Sequence, residues 1–385
     1  MRRLLLLVGT IVLVDMTFYA AITPLLPDYA DRYGLSTSQA GLLGAAYAAG
    51  TLIAALPSGL LAVRWGPRRT VLLGLALMAV ASLGFAFGRT VLLLDATRFL
   101  QGVGGACSYA GGMGWLLSST APERRGETIG AAMVAGVVGI LLGPVLGTLA
   151  RALGPEVPFA SIAVIGVVLM AVAMRTPLAL AGAEAGAGLA GARVRDAWRT
   201  RRVRGGMAFV LLPALAFGAM NVLTPLELDR LGAGGLLVGA VYLVAAAIEA
   251  AVQLVVGRAS DRHGRVLFLR VSLAGSCLCM LLLTLPGSVV ALVPAIVLSF
   301  VVVGSLYTPA MALLSDGAAA AGLAQGMAFA LVNLVWAGGQ VVGAVAGSGI
   351  ADAWSEAVTW LLLAALLGGA LAVLTVARRA PVATA

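Results

Sequence analysis

The feature that most constrains this chain is a series of apolar blocks, each about 20 residues long and almost free of charge. An α-helix of roughly 20 apolar residues crosses the hydrocarbon core of a bilayer. Only 11% of the residues are charged and 61% are hydrophobic, whereas a soluble domain has about 25% charged residues. The sequence therefore predicts an all-α integral membrane protein. Its twelve predicted transmembrane spans are 4–26, 40–62, 70–88, 91–116, 127–150, 157–175, 206–226, 234–256, 266–285, 288–313, 324–350 and 354–377.

Arginines occur mainly in alternate loops, which sets the expected orientation. The N-terminus and the loops after spans 2, 4, 8 and 12 hold Arg2, Arg3, Arg64, Arg68, Arg69, Arg124, Arg125, Arg258, Arg262, Arg265, Arg378 and Arg379. The opposite loops hold Arg32, Arg89, Arg151 and Arg230. Because cytoplasmic loops carry the excess of basic residues, we expect a multi-pass protein of the cell membrane with both termini cytoplasmic. The net charge of +9 then reflects topology and contact with anionic lipid, and no nucleic-acid partner is expected.

A polar stretch divides the chain into two similar halves. We predict an N-terminal six-helix bundle at 1–175, a basic cytoplasmic linker at 176–205 and a C-terminal six-helix bundle at 206–385. Three features recur in the same order at a spacing of about 200 residues, as expected of parallel repeats related by an axis along the membrane normal. They are Thr23-Pro24-Leu25 with Thr224-Pro225-Leu226, the loops from Gly59 and Gly257, and the glycines Gly139, Gly143 and Gly147 with Gly339, Gly343 and Gly347.

The two recurring loops carry a recognisable motif. The loop after span 8 contains Gly257, Asp261, Arg262, Gly264 and Arg265. The loop after span 2 keeps Gly59, Arg64 and Gly66, but Val63 and Pro67 replace the acidic and basic positions, and Arg68 and Arg69 follow.

With these motifs the sequence resembles the major facilitator superfamily over essentially its whole length. The resemblance implies two six-helix bundles related by pseudo-two-fold symmetry, transport by alternating access, and a loop that latches neighbouring helices in one state. The missing acid should weaken the first-half latch; either Arg68 and Arg69 compensate or the second-half latch dominates. The same two arginines also suit a basic turn that only fixes topology.

Two further motifs narrow the resemblance. Span 4 carries Arg98 followed by Gln101-Gly102, and span 5 carries a glycine-proline pattern. That pattern consists of Gly130, Gly139, Gly143, Pro144 and Gly147, with Thr148 where a further glycine is usual. It resembles the motif of the drug:proton antiporter branch and implies proton-coupled efflux of small hydrophobic or cationic molecules. Span 11 repeats the glycine stripe but has Ala344 in place of the proline. Helix packing alone therefore explains the glycines, and Pro144 is the residue that we associate with antiport.

Charged side chains inside the spans are the candidate coupling residues: Asp15, Arg98 and Glu249. Each costs about 2.5–3.5 kcal/mol near the bilayer centre on insertion scales. If spans 1 and 4 are neighbours, Asp15 meets Arg98 directly or through water; Asp95 is an alternative partner of Arg98, and a static buried ion pair an alternative role. Glu249 is a second proton site, a ligand for the positive group of a substrate, or a carboxylate hydrogen-bonded within its bundle.

Polar and aromatic residues on the spans are the candidate substrate cavity: Tyr19, Asn221, Tyr307, Asn333, Trp336 and Gln340. Each also suits an interhelical hydrogen bond, which contributes about 0.6 kcal/mol on average. A broad apolar pocket with few polar groups fits hydrophobic substrates of varied shape.

The sequence carries no pattern typical of an enzyme. It has no phosphate-binding Walker loop, its single histidine is His263, and its three cysteines lie in apolar blocks. We therefore expect no metal or cofactor, a proton gradient as the energy source, small-molecule substrate, protons and lipid as partners, and a monomer. The competing hypotheses are an exporter of one sugar or amino acid, an uptake symporter, and a membrane receptor.

Overall fold

The computed structural model describes residues 2–120, 124–177, 200–321 and 325–376, and in these ranges the chain is helical throughout apart from short turns. One 3-10 turn, Thr23–Leu25, separates the first two helices. The α-helices are α1 Arg2–Ala20, α2 Leu26–Tyr33, α3 Thr37–Arg64, α4 Pro67–Ala86, α5 Val91–Ser118, α6 Arg125–Leu153, α7 Glu156–Arg175, α8 Arg201–Arg230, α9 Gly235–His263, α10 Arg265–Leu282, α11 Val289–Ala320, α12 Gln325–Ala353 and α13 Glu356–Val376.

Within the described residues, 11 helical segments are long and apolar enough to cross a membrane, the first of them formed by α1 and α2 together. They correspond to eleven of the twelve predicted spans, and the all-α membrane fold class is confirmed. The remaining predicted span is α5, a helix of 28 residues. Its Asp95, Arg98 and Gln101 lower its hydropathy, so the one predicted span that is not among these segments is also the one that carries the polar motif.

The described chain forms two compact units by contacts between its residues. The first contains the described residues that fall within 1–35, 42–194 and 235–243. In it α1 packs against α6, and α4 packs against both α5 and α7. The α4–α5 contact is close because Gly74 of α4 lies against the backbone of Gly104 and Ser108 in α5.

The second unit contains the described residues that fall within 36–41, 195–234 and 244–385. Here α8 packs against α12, and α10 packs against both α11 and α13. These pairs are the same, in chain order, as α1 with α6 and α4 with α5 and α7. The repeat detected in the sequence is therefore also a repeat of helix neighbours within each unit.

The predicted linker is described only at its ends. Residues 178–199 lie outside the described residues, and α8 begins at Arg201. The last residues of the predicted linker are thus helical, and the domain boundaries at 175 and 206 stay predictions.

Candidate functional site

The glycine stripe of α6 is a packing surface against the first helix of its unit. A side-chain carbon at Gly139, Gly143 or Gly147 would collide with the α1 segment or the turn that follows it. At Gly143 that carbon would lie 2.9 Å from the carbonyl carbon of Ala20, closer than backbone atoms allow. Gly130 differs, because nothing lies within 4 Å of that position. Three of the four motif glycines therefore serve helix packing, and Gly130 does not.

The corresponding stripe of α12 packs in the same way against α8. Gly343 lies on the backbone of Leu215, and Gly347 lies against Ala219. Small residues at such positions allow helix backbones to approach closely in a membrane. The stripe is thus shared by both units, as its spacing in the sequence predicts.

Pro144 does not interrupt α6, which continues through it to Leu153. Its carbonyl oxygen accepts a 2.8 Å hydrogen bond from the hydroxyl of Thr148. Thr148, which stands where the motif usually has glycine, also limits the space beside Gly239 at the start of α9. The role of Pro144 in antiport stays a prediction.

Asp15 is enclosed on α1, with a relative exposure of 4%. The hydroxyl of Tyr47, from α3, donates a 2.9 Å hydrogen bond to its Oδ2 atom. The Oδ1 atom has no hydrogen-bond partner among the described residues. Gly105 of α5 faces the carboxylate, because a side-chain carbon there would lie 2.8 Å from both carboxylate oxygens. The carboxylate thus lies between a hydroxyl donor and a glycine.

Arg98 is 1% exposed and is held by main-chain carbonyls. Its guanidinium donates to the carbonyl oxygens of Phe18 and Tyr19, both at 3.1 Å, and to Oε1 of Gln101 at 2.7 Å. The guanidinium carbon lies 5.5 Å from the centre of the Tyr47 ring and 5.9 Å from that of Phe18. Arg98 therefore satisfies carbonyls in the last turn of α1, where helix ends leave such groups without intrahelical donors.

Asp15 and Arg98 lie in one cluster, as the sequence analysis anticipates, and Tyr47 contacts both of them. The described ion pairs do not include Asp15 with Arg98 or Asp95 with Arg98. The Oδ1 atom of Asp95 is buried without a hydrogen-bond partner among the described residues. Sequence reasoning missed Tyr47 and Gly105. Their only signals in the sequence are a hydroxyl within the apolar span 2 and one glycine among several after Arg98.

Glu249 lies on α9 in the second unit and is partly exposed. The amide of Gln253, one turn further along the same helix, donates a 2.8 Å hydrogen bond to its Oε1 atom. Gly304 of α11 faces it, since a side-chain carbon there would lie 2.6 Å from Cγ and Cδ of Glu249.

The predicted cavity residues are distributed over both units. Tyr19 is partly buried in the first unit, and its ring centre lies 4.8 Å from that of Tyr47. In the second unit Gln340 is buried. The others are partly exposed: Asn221 on α8, Tyr307 on α11, and Asn333 and Trp336 on α12. Their contact with a substrate stays a prediction.

The loop motifs lie where α3 meets α4 and where α9 meets α10. Gly66 and Gly264 have φ angles of 86° and 95°, a conformation that favours glycine. Arg265 donates to the carboxylate of Asp316 and, at 3.1 Å, to the carbonyl of Ala312. It thus ties the start of α10 to the end of α11.

The remaining motif residues make fewer contacts. Arg64 and Arg262 are exposed, and Arg68 is partly exposed. Gly59 has nothing within 4 Å, and Gly257 lies near Thr308. The side chain of Asp261 lies outside the described part of the chain.

Among curated proteins, the chain is similar to several transporters. It is 31% identical over 138 residues to the MFS-type transporter ppzB of Metarhizium rileyi and 38% identical over 123 residues to the synaptic vesicular amine transporter of Bos taurus. These alignments cover 34% and 31% of this chain but only 29% and 24% of the relatives' lengths. An uncharacterised MFS-type transporter of Enterobacter sp. (strain 638) is 27% identical over 275 residues, covering 70% of this chain and 69% of that protein.

Two solved structures share the fold over nearly the full length. One is a bacterial homologue of the human lysosomal transporter Spinster, with a TM-score of 0.78, 14% identity and coverage of 98% and 96% of the two chains. The other is the nucleoside transporter NupG, with a TM-score of 0.76, 13% identity and coverage of 97% and 99%. The family model of the Major Facilitator Superfamily matches residues 8–327. The helical architecture, the two units with equivalent helix neighbours and this match together show that the chain belongs to the major facilitator superfamily.

Proposed function

We propose that this protein is a secondary transporter that exports small hydrophobic or cationic molecules in exchange for protons, by alternating access. The observation that carries the proposal is the enclosed carboxyl group of Asp15, with one oxygen bonded to Tyr47 and the other without a partner. Such a group is expensive to keep within a membrane span, which favours a functional role. The glycine-proline pattern of α6 supports export.

In this proposal Asp15 carries a charge that titrates, and Arg98 carries a charge that is fixed. A carboxyl group gains and loses a proton, whereas a guanidinium stays protonated in proteins. The hydrogen bonds of Arg98 to carbonyls of α1 keep its charge in one place beside the Tyr47 ring. Asp15 is then the group whose protonation changes as the transporter opens to one compartment or the other.

The substrate class rests on two supports. Glu249 places a second carboxylate within the spans, and one similar protein is named as an amine transporter. A positively charged or protonatable organic molecule is therefore the substrate class that we propose. The proton gradient supplies the energy, no resident cofactor is involved, and the working form is a monomer in the cell membrane.

The test uses purified protein in proteoliposomes with an imposed pH gradient and a panel of lipophilic cations, neutral drugs and sugars. We expect substrate to move against the direction of proton flow, and Asp15→Asn to abolish this movement while substrate exchange without a gradient continues. Full gradient-driven transport by Asp15→Asn would refute the proton-site assignment. Movement of substrate in the same direction as protons would refute antiport.

A further inference from the structure

Among the described residues, each unit has a carboxylate within a span that lies against a glycine of a neighbouring helix. Asp15 faces Gly105 of α5, and Glu249 faces Gly304 of α11, the helix in the corresponding place in the second unit. Each also accepts one hydrogen bond from a neutral side chain, Tyr47 for Asp15 and Gln253 for Glu249. In both units the glycine leaves the space that the carboxylate occupies.

The two settings differ in enclosure. Asp15 is 4% exposed and its donor comes from another helix, so the group is surrounded by packed elements. Glu249 is partly exposed, and its donor Gln253 lies one turn away on the same helix. The enclosed carboxylate of Asp15 can still exchange a proton, whereas a larger cation can also approach the partly exposed carboxylate of Glu249.

We infer that Glu249, oriented by Gln253 and accommodated by Gly304, binds the positively charged group of an organic cation, while Asp15 handles the proton. The attraction between opposite charges is stronger at such a site than in water, because the effective dielectric constant is lower. Gln253 fixes one carboxylate oxygen and carries no charge of its own. The inference depends on the proposed function only in assuming that substrates are cationic, and it assigns recognition and coupling to different residues.

Direct binding tests this assignment without any proton gradient. The probe is radiolabelled tetraphenylphosphonium, measured by equilibrium dialysis against the purified full chain in detergent. We expect Glu249→Gln to weaken binding at least tenfold, which is about 1.4 kcal/mol, and Glu249→Asp, which keeps the charge, to retain more affinity than Glu249→Gln.

Two glycine variants separate a loss of the site from a loss of the fold. Gly304→Ala should weaken tetraphenylphosphonium binding, because the new methyl group would displace the Glu249 side chain. Gly349→Ala is the matched control, since nothing lies within 4 Å of Gly349, and it should bind like the wild type. Thermal unfolding midpoints of all variants identify any that fail to fold.

The outcomes distinguish this inference from the proposed function. Wild-type affinity in Glu249→Gln, or no binding of the probe by the wild type, overturns the inference even if proton-driven export is observed. Binding that depends on Glu249, with no substrate movement in a pH gradient, supports the inference and overturns the antiport proposal.

Discussion

At the residue scale, the position of Asp15 depends on two neighbours, one that donates a hydrogen bond and one that has no side chain. The hydroxyl of Tyr47 donates a hydrogen bond to the carboxylate, and the carboxylate fills the space that a side chain at position 105 would occupy. The same Tyr47 ring lies beside the guanidinium of Arg98. Removing the donor and filling the space therefore disturb the same group by different routes.

We predict that Gly105→Ala impairs coupling more than it impairs folding. The added methyl carbon would lie 2.8 Å from both Asp15 oxygens and 2.9 Å from the Tyr47 hydroxyl, so the carboxylate and the hydroxyl must shift from their present positions. Gradient-driven transport in proteoliposomes should fall at least about tenfold, with a loss of stability of about 1–3 kcal/mol typical of overpacking. Gly114→Ala is the control on the same helix, because nothing lies within 4 Å of Gly114. Equal transport by the two variants would show that the carboxylate need not occupy its present place.

Tyr47→Phe removes the donor and keeps the ring. The contacts of the ring with Tyr19 and Arg98 remain possible, and the loss of one hydrogen bond costs about 0.5–1.5 kcal/mol. We predict a folded variant with reduced gradient-driven transport, measured together with its thermal midpoint. Wild-type transport would exclude a role for the hydroxyl in coupling.

The sequence reveals these residues unequally. Asp15 and Arg98 are conspicuous because charges are rare in apolar blocks. Tyr47 and Gly105 are ordinary residues of a membrane helix, and their importance arises only from which helices are neighbours. The contact of Tyr47 with both Asp15 and Arg98 likewise depends on the tertiary structure, and no spacing along the chain predicts it.

At the element scale, the glycines of α6 are of two kinds that the motif does not distinguish. Gly143 lies against the backbone of Ala20, whereas Gly130 faces open space. The spacing of four residues predicts a single packing face for Gly139, Gly143 and Gly147, and the structure has it. Gly130 lies nine residues before Gly139, off that repeat, and its different setting agrees with this.

Alanine substitutions at these two positions should therefore have opposite effects on stability. Replacing a glycine in a helix interior gains up to about 1 kcal/mol of helix propensity. Gly130→Ala should keep this gain and raise or preserve the thermal midpoint in detergent. Gly143→Ala should lower it, because α1 must move away and overpacking costs about 1–3 kcal/mol. Shifts of the same sign and size in both variants would contradict the packing role.

At the whole-molecule scale, the two units resemble each other more closely in which helices are neighbours than in which residues those helices carry. Both units pair their helices in the same order, yet Arg98 has no counterpart arginine and Pro144 corresponds to Ala344 in the repeat. The two carboxylates also lie on helices that do not correspond. Periodicity and the sequence repeat predict the fold class and the number of spans. They do not predict which polar residues each half carries, because the two halves share their helix packing but differ in the polar residues of their spans.

The orientation and the crossing of α5 can be tested in one experiment. Single cysteines are introduced at Thr90, between α4 and α5, and at His263, at the end of α9; both sites are exposed. The native cysteines Cys107 and Cys279 are buried, and Cys277→Ser removes the partly exposed one. A membrane-impermeant maleimide should label Thr90→Cys in intact cells and His263→Cys only after permeabilisation, because we expect the basic loops to be cytoplasmic.

The two sites are separated by α5, α6, α7, α8 and α9, an odd number of crossings if α5 spans the membrane. Among the twelve predicted spans, α5 is the one that is not apolar enough to be counted as a candidate span in the described residues, so its crossing needs this test. If α5 did not cross, both cysteines would lie on the same side and react together. Labelling of His263→Cys alone in intact cells would instead reverse the predicted orientation while leaving α5 as a span.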